Sequence, residues 1–197
     1  MSVIGLLVAC TAGTIAACGT PADGGRIEPT YDRATGRLEL LKYDADGDGK
    51  MDTWSYMDGA QIVRIDIDTN DDGVLDRWEY YRPGGQLEKV GSSRRQNGSP
   101  DSWAYYGHGG SIARLELTTH ASGTVDRIEH YEKGLIVRAE EDTTGDGKID
   151  KWEVYDGQRL ASITFDTTER GYPDRRLVYS ADGSARPEAV SPPSTQP

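Results

Sequence analysis

Residues 62–81 read Ile-Val-Arg-Ile-Asp-Ile-Asp-Thr-Asn-Asp-Asp-Gly-Val-Leu-Asp-Arg-Trp-Glu-Tyr-Tyr, and this stretch decides the fold. Its first six residues alternate. Val63, Ile65 and Ile67 fall on one side of an extended chain and Arg64 and Asp66 on the other, the period of a half-buried strand. From Leu75 to Tyr81 the chain is again rich in β-formers. An Asp-rich segment ending at Gly73 separates the two, so the stretch predicts two antiparallel strands joined by a polar loop.

The same unit recurs along the chain. Gly49, Gly73, Gly98, Gly123, Gly147 and Gly171 are spaced by 24 or 25 residues. Three residues after each stands an Asp: Asp52, Asp76, Asp101, Asp126, Asp150 and Asp174. Trp54, Trp78, Trp103 and Trp152 follow two residues later in four of the copies, and Tyr81, Tyr106, Tyr131, Tyr155 and Tyr179 form the next column. Between copies lie turn signals such as Asp58-Gly59, Pro83-Gly84-Gly85 and Asp156-Gly157. Columns held over six copies establish a repeat. The fold class that follows is all-β: about six tandem β-hairpins of 24–25 residues in an antiparallel meander, either an open twisted sheet or a closed barrel. The hairpin domain spans residues 27–185, and the Pro- and Ser-rich segment 186–197 reads as a disordered tail.

Composition narrows the function. Only 36% of the 197 residues are hydrophobic, with one Phe but four Trp and eleven Tyr. That suits a thin, half-wet sheet rather than a deep core. The formal net charge of −11 repels phosphate backbones and argues against nucleic acid as a partner. The two cysteines, Cys10 and Cys18, exclude a disulfide framework or thiolate site in the repeat domain.

Residues 3–17 are apolar or small apart from two Thr, a signal-peptide core too short to span a membrane. The sequence Ile15-Ala16-Ala17-Cys18 resembles the lipobox of bacterial lipoproteins. The resemblance implies a leader over residues 1–18, lipidation of Cys18 and a flexible tether over 19–26. The chain would then be exported to the cell envelope, anchored to a membrane by that lipid alone or secreted.

The loops carry the candidate chemistry. Calcium takes six to eight oxygen ligands, supplied by alternating acids around a glycine turn. The run Asp68-Thr69-Asn70-Asp71-Asp72-Gly73-Val74-Leu75-Asp76-Arg77-Trp78-Glu79 resembles the EF-hand loop at its ligand positions. The resemblance implies side-chain ligands at Asp68, Asn70, Asp72 and Asp76, the Val74 carbonyl, and Glu79 as the closing bidentate ligand. Asp142, Asp146, Asp150 and Glu153, with Thr144, repeat the pattern, and so do Asp44, Asp46, Asp48 and Asp52, where Ser55 stands in the closing position. The loops at Arg95–Asp101, Thr118–Asp126 and Asp166–Asp174 have lost several acids. Both flanks read as strands rather than helices, so the closer likeness is to DxDxDG loops of β-rich extracellular proteins.

Other readings stay open. Asp-Gly and Asn-Gly are strong hairpin signals by themselves, although a turn needs none of the upstream acids. Residues 31–38 resemble the YD repeat of Rhs-type shell proteins. Trp78-Glu79-Tyr80-Tyr81 and Trp103-Ala104-Tyr105-Tyr106, each followed by paired glycines, resemble the aromatic hairpins of choline- and glucan-binding repeats. The Trp columns then either stack on sugar or choline or form a cross-strand ladder. His108, His120 and His130 occupy unrelated repeat positions, and no nucleophile elbow, HExxH or phosphate loop is present. The expectation is therefore a non-catalytic repeat protein that binds calcium and has a structural or adhesive role. Its partners would be calcium ions and a surface polysaccharide or another envelope protein. The alternative is a carbohydrate- or choline-binding module.

Overall fold

The computed structural model describes residues 25–120 and 123–190. The leader, Cys18, residues 19–24 of the tether and residues 191–197 of the tail lie outside them.

The described chain is all-β. Its strands are β1 (Arg26–Tyr31), β2 (Leu38–Asp44), β3 (Thr53–Asp58), β4 (Gln61–Ile67), β5 (Arg77–Tyr81), β6 (Leu87–Ser92), β7 (Ser102–Tyr106), β8 (Ile112–Leu117), β9 (Arg127–Glu132), β10 (Leu135–Glu141), β11 (Lys151–Asp156), β12 (Arg159–Phe165), β13 (Arg175–Tyr179) and β14 (Ala185–Glu188). They form one 14-stranded sheet in sequence order, every pair antiparallel. The sheet is open: β1 pairs only with β2, and β14 only with β13. Of the two architectures left by the sequence, the meander is thus the open one. Two boundaries differ from expectation. β1 begins at Arg26, and β14 carries the sheet three residues into the segment read as tail, because the turn from Ser180 to Ser184 folds the chain back onto β13.

Connections alternate between two edges. Tight turns occupy one, and the Asp-rich loops occupy the other. Each tight hairpin except β13–β14 contains a register shift. Tyr56 pairs with Arg64 but Met57 with Ile62, so Val63 is left over. Glu39, Glu88, Ala113, Val137 and Ala161 are skipped in the same way. A bulge therefore recurs once per repeat, and bulges increase local twist. This corrects the simple alternation read for β4, since Val63 stands outside the pairing.

The two faces differ. On one, Ile65, Val90, Leu115, Ala139 and Ile163 supply one aliphatic residue per repeat on the even-numbered strands. Their cross-strand neighbours include Glu79, Glu129 and Glu153. Val90 and Ala139 are 5% and 1% exposed. The glutamates are balanced locally. Arg127 donates to Glu129, Glu141 and Glu153 at 2.8 Å each, and Lys151 reaches both Glu141 and Glu153. Burial pushes the Glu153 carboxyl upward, but Arg127, Lys151 and Tyr155 outweigh it and bring its pKa down to about 2. The opposite face alternates aromatic and charged residues along a cross-strand row: Tyr56, Arg64, Tyr80, Lys89, Tyr105 and Arg114. The cations lie over the rings, Arg64 at 5.3 Å from both Tyr56 and Tyr80, and Lys89 at 4.7 Å from Tyr80. Such contacts add roughly 0.5–1 kcal/mol each where exposed.

Candidate metal-binding edge

The six loops 44–52, 68–76, 93–101, 118–126, 142–150 and 166–174 lie side by side along one sheet edge. A backbone rung joins each to the next. The amide N–H at the first position of a loop donates to the carbonyl of the ninth-position Asp in the loop before: Asp68 to Asp52, Ser93 to Asp76, Thr118 to Asp101, Asp142 to Asp126 and Asp166 to Asp150, all at 2.8 Å.

Two acids fix each acid-rich loop from within. At the first position, Asp44 accepts from the amides of Gly47 and Gly49 at 2.7 and 3.0 Å. Asp68 accepts from Gly73, Asp142 from Gly145 and Gly147, and Asp166 from Gly171. At the ninth position, Asp52 accepts from the Ala45 amide. Asp76, Asp126 and Asp150 accept from the amide or hydroxyl of a second-position Thr, namely Thr69, Thr119 and Thr143. Asp44, Asp68, Asp76, Asp126 and Asp142 are buried. Burial raises the Asp142 and Asp126 carboxyls, but the amides that they accept from hold both below the ordinary range. The backbone requirement is equally regular. The sixth-position glycine has positive φ in every copy, +85° at Gly73 for example, and the fourth position is left-handed in Gly47, Asp71, Gln96, Gly145 and Glu169.

The third and fifth positions are left to face outward. Asp46 accepts from the Asp48 amide, and Asp48 from the Lys50 amide, each through Oδ1. In the first loop Asp44, Asp46 and Asp48 bring ligand oxygens within 4.8 Å of one another. Oxygens sharing one calcium at roughly 2.3–2.6 Å can be that far apart, so the triad fits such an ion. The Lys50 ammonium currently neutralises it, 3.0 Å from Asp48 Oδ2 and 3.1 Å from Asp71 of the next loop. The Lys50 amide and ammonium together hold the Asp48 carboxyl below its ordinary pKa. In the second loop Asn70 donates to Asp72, and Asp72 accepts from Val74. In the fifth, Asp146 accepts from the Lys148 amide and pairs with its ammonium.

The structure does not bring the closing glutamates to the loops. Glu79 accepts from Arg77 and Tyr81 on its own strand, and Glu153 from Arg127, Lys151 and Tyr155. The reason is the flank: a helix turns the twelfth loop position back toward the ion, whereas a strand directs it onto a sheet face. Asp52, Asp76 and Asp150 are engaged with the second loop position. Sequence reading passed over Lys50 and the recurrent second-position Thr. The latter was legible as a column at Thr69, Thr119, Thr143 and Thr167. Arg95 reads in sequence only as a lost ligand of the third loop, but its Nη2 meets the carbonyls of Thr118, Thr119 and His120 at 3.0–3.1 Å, a tethered cation pinning the fourth loop.

No family model matches the chain, and no curated protein matches it. Among solved structures it is similar to a chain in the crystal structure of accessory secretory protein 1, 2 and 3 of Streptococcus pneumoniae, with 15% identity and a TM-score of 0.31. The likeness covers 63% of this chain and 20% of the other, and carries no functional argument.

Proposed function

We propose that this is an exported, non-catalytic repeat protein with a structural or adhesive role, whose loop edge binds calcium. The observation that supports the reading most is the convergence of Asp44, Asp46 and Asp48 in a loop whose shape is already set by backbone hydrogen bonds. The second and fifth loops offer fewer acids, Asp68 and Asp72 with Asn70, and Asp142 and Asp146 with Thr144. Calcium would neutralise Asp46 and Asp48 in place of Lys50 and stiffen neighbouring loops through their shared backbone rung. Export rests on the leader pattern of residues 1–18.

The test is thermal unfolding in about 10 mM calcium against EGTA. With affinity on the order of 10⁻⁴–10⁻³ M, as in extracellular modules, the native state gains about 1.4–2.7 kcal/mol. Asp46→Asn with Asp48→Asn abolishes the first-loop part of that gain while leaving the EGTA midpoint nearly unchanged. A midpoint indifferent to calcium rules out the reading.

A further inference from the structure

The aromatic face contains a second candidate site, separate from the acid-rich loops. Three of the even-numbered strands carry there a cation followed two residues later by an acid: Arg64 and Asp66 on β4, Arg114 and Glu116 on β8, Arg138 and Glu140 on β10, each joined as an ion pair. On β6 the cation is Lys89, but Gly91 stands where the acid belongs. The cross-strand neighbours of Lys89 are Tyr80 and Tyr105, and it has no ion-pair partner among the described residues. The neighbours of Gly91 are Trp78 and Trp103, and the Trp103 ring lies against its backbone.

A groove of about 170 Å³ opens beside this gap, lined by Arg64, Trp78, Tyr80, Gly98, Pro100 and Trp103. The Lys89 ammonium stands over two of its rings, 4.7 Å from the centre of Tyr80 and 4.5 Å from that of Trp103. Trp78 is 6% exposed, yet its indole N–H has no acceptor among the described residues and still reaches solvent. Buried indoles ordinarily find a partner. The groove therefore offers donors and aromatic faces, with Asp66 already committed to Arg64. The bordering loop 93–101 carries Arg95 in place of the third-position acid and Arg94 at the second position; the Arg94 guanidinium and the Arg95 backbone amide both donate to Asp101. On a chain of net charge −11 this region is locally cationic, and at physiological salt charges beyond roughly 8 Å are largely screened.

We propose that the groove binds an acidic saccharide, a uronate-bearing chain. Its carboxylate takes the place of the acid missing at Gly91 and pairs with Lys89. A pyranose face packs on Trp103, and a sugar oxygen accepts from the Trp78 N–H. A polymer suits the face better than a free small acid. Trp54, Trp78 and Trp103 stand on alternate strands, roughly 10 Å apart, a spacing commensurate with the disaccharide unit of an extended polysaccharide.

The experiment titrates the full chain with oligogalacturonate, and separately with cello-oligosaccharide of equal length, by Trp fluorescence and calorimetry. EGTA is present throughout, so that calcium bridging contributes nothing. The uronate oligomer is expected to bind and the neutral one not. Lys89→Gln weakens binding about ten-fold or more, and Trp78→Phe, which keeps the ring but removes the donor, weakens it less. Circular dichroism confirms that both variants fold. Absence of uronate binding, equal binding of the neutral oligomer, or full binding by Lys89→Gln each overturns the proposal.

Discussion

Gly73 sits at φ +85° with nothing within 4 Å of where a Cβ would stand. Any cost of Gly73→Ala is therefore that of the left-handed backbone, about 1–2 kcal/mol by urea unfolding. Gln96 holds the fourth loop position at φ +52°, so Gln96→Gly is expected to be neutral or to stabilise by about 0.5 kcal/mol, relief of strain offsetting the extra freedom of the unfolded chain. A shift of opposite sign at either residue would refute this account of the loop backbone. Lys50 makes the complementary case for charge. With its ammonium against Asp48 and Asp71, Lys50→Gln should strengthen calcium binding in the first loop, read in a calorimetric titration. Weaker binding would mean that Lys50 organises the site rather than competing for it. At this scale the sequence was partly legible. The sixth-position glycines and ninth-position acids announced themselves by recurrence. The burial of Asp44, Asp68 and Asp142 against loop amides did not, because a first-position acid bonded to backbone and one poised for an ion are the same letter in the same place.

At the scale of the strand, Arg127 governs β9 to β11. It is 14% exposed in its side chain and holds three carboxylates. Arg127→Ala leaves them without their shared counter-charge and is expected to cost about 3–5 kcal/mol. Arg127→Met, which refills the volume, should cost little less, since Glu129 loses its cation and Glu141 and Glu153 are left to share Lys151 alone. The same lattice sets an acid limit. Glu153 lies at about 2 when folded against 4.5 in its ordinary state. A depressed carboxylate stabilises the fold fully above the unfolded value, and that contribution, at most about 3 kcal/mol, is lost as pH falls from about 4.5 toward 2. Glu153→Gln should flatten the pH dependence of unfolding in that window, and an unchanged slope would show that the lattice carries no such linkage. The strands were legible from period-2 alternation, but the fates of Glu79 and Glu153 were not. Counting positions along an EF-hand loop presumes a helix after it. A strand sends the same residue to a face where Arg77 or Arg127 waits; Arg77 sits at a non-ligand position of the motif and Arg127 lies 26 residues from Glu153.

At the scale of the molecule, the backbone of each strand packs only against its neighbours in sequence, with side chains such as Arg127 reaching one strand further, so the architecture is one-dimensional and stability is a sum of local and near-neighbour contributions. Removing residues 175–197, which carry β13 and β14, should leave a folded sheet with a smaller denaturant m-value and a lower midpoint, read by circular dichroism. Complete unfolding would show long-range cooperativity that the contacts do not contain. The meander was legible from the repeat, but openness was not, since closure depends on accumulated twist and on whether β1 meets β14, neither of which a 24-residue period encodes. The recurrent bulge was hidden for a related reason: Val63 and Val137 look like ordinary strand residues until pairing shows them skipped. The proposed function implies a division of labour along the loop edge, with ninth-position acids holding shape, third- and fifth-position acids holding calcium, and the first-position acid, as at Asp44, joining the loop backbone to the ion site. Amide hydrogen exchange with calcium and with EGTA tests it most directly. Calcium should increase protection in residues 45–51, to a lesser degree in 69–75 and 143–149, and not at all in 94–100, where Arg95 stands in place of the third-position acid. Exchange that calcium leaves unchanged throughout the loop edge, or slows equally in 94–100, would contradict the account.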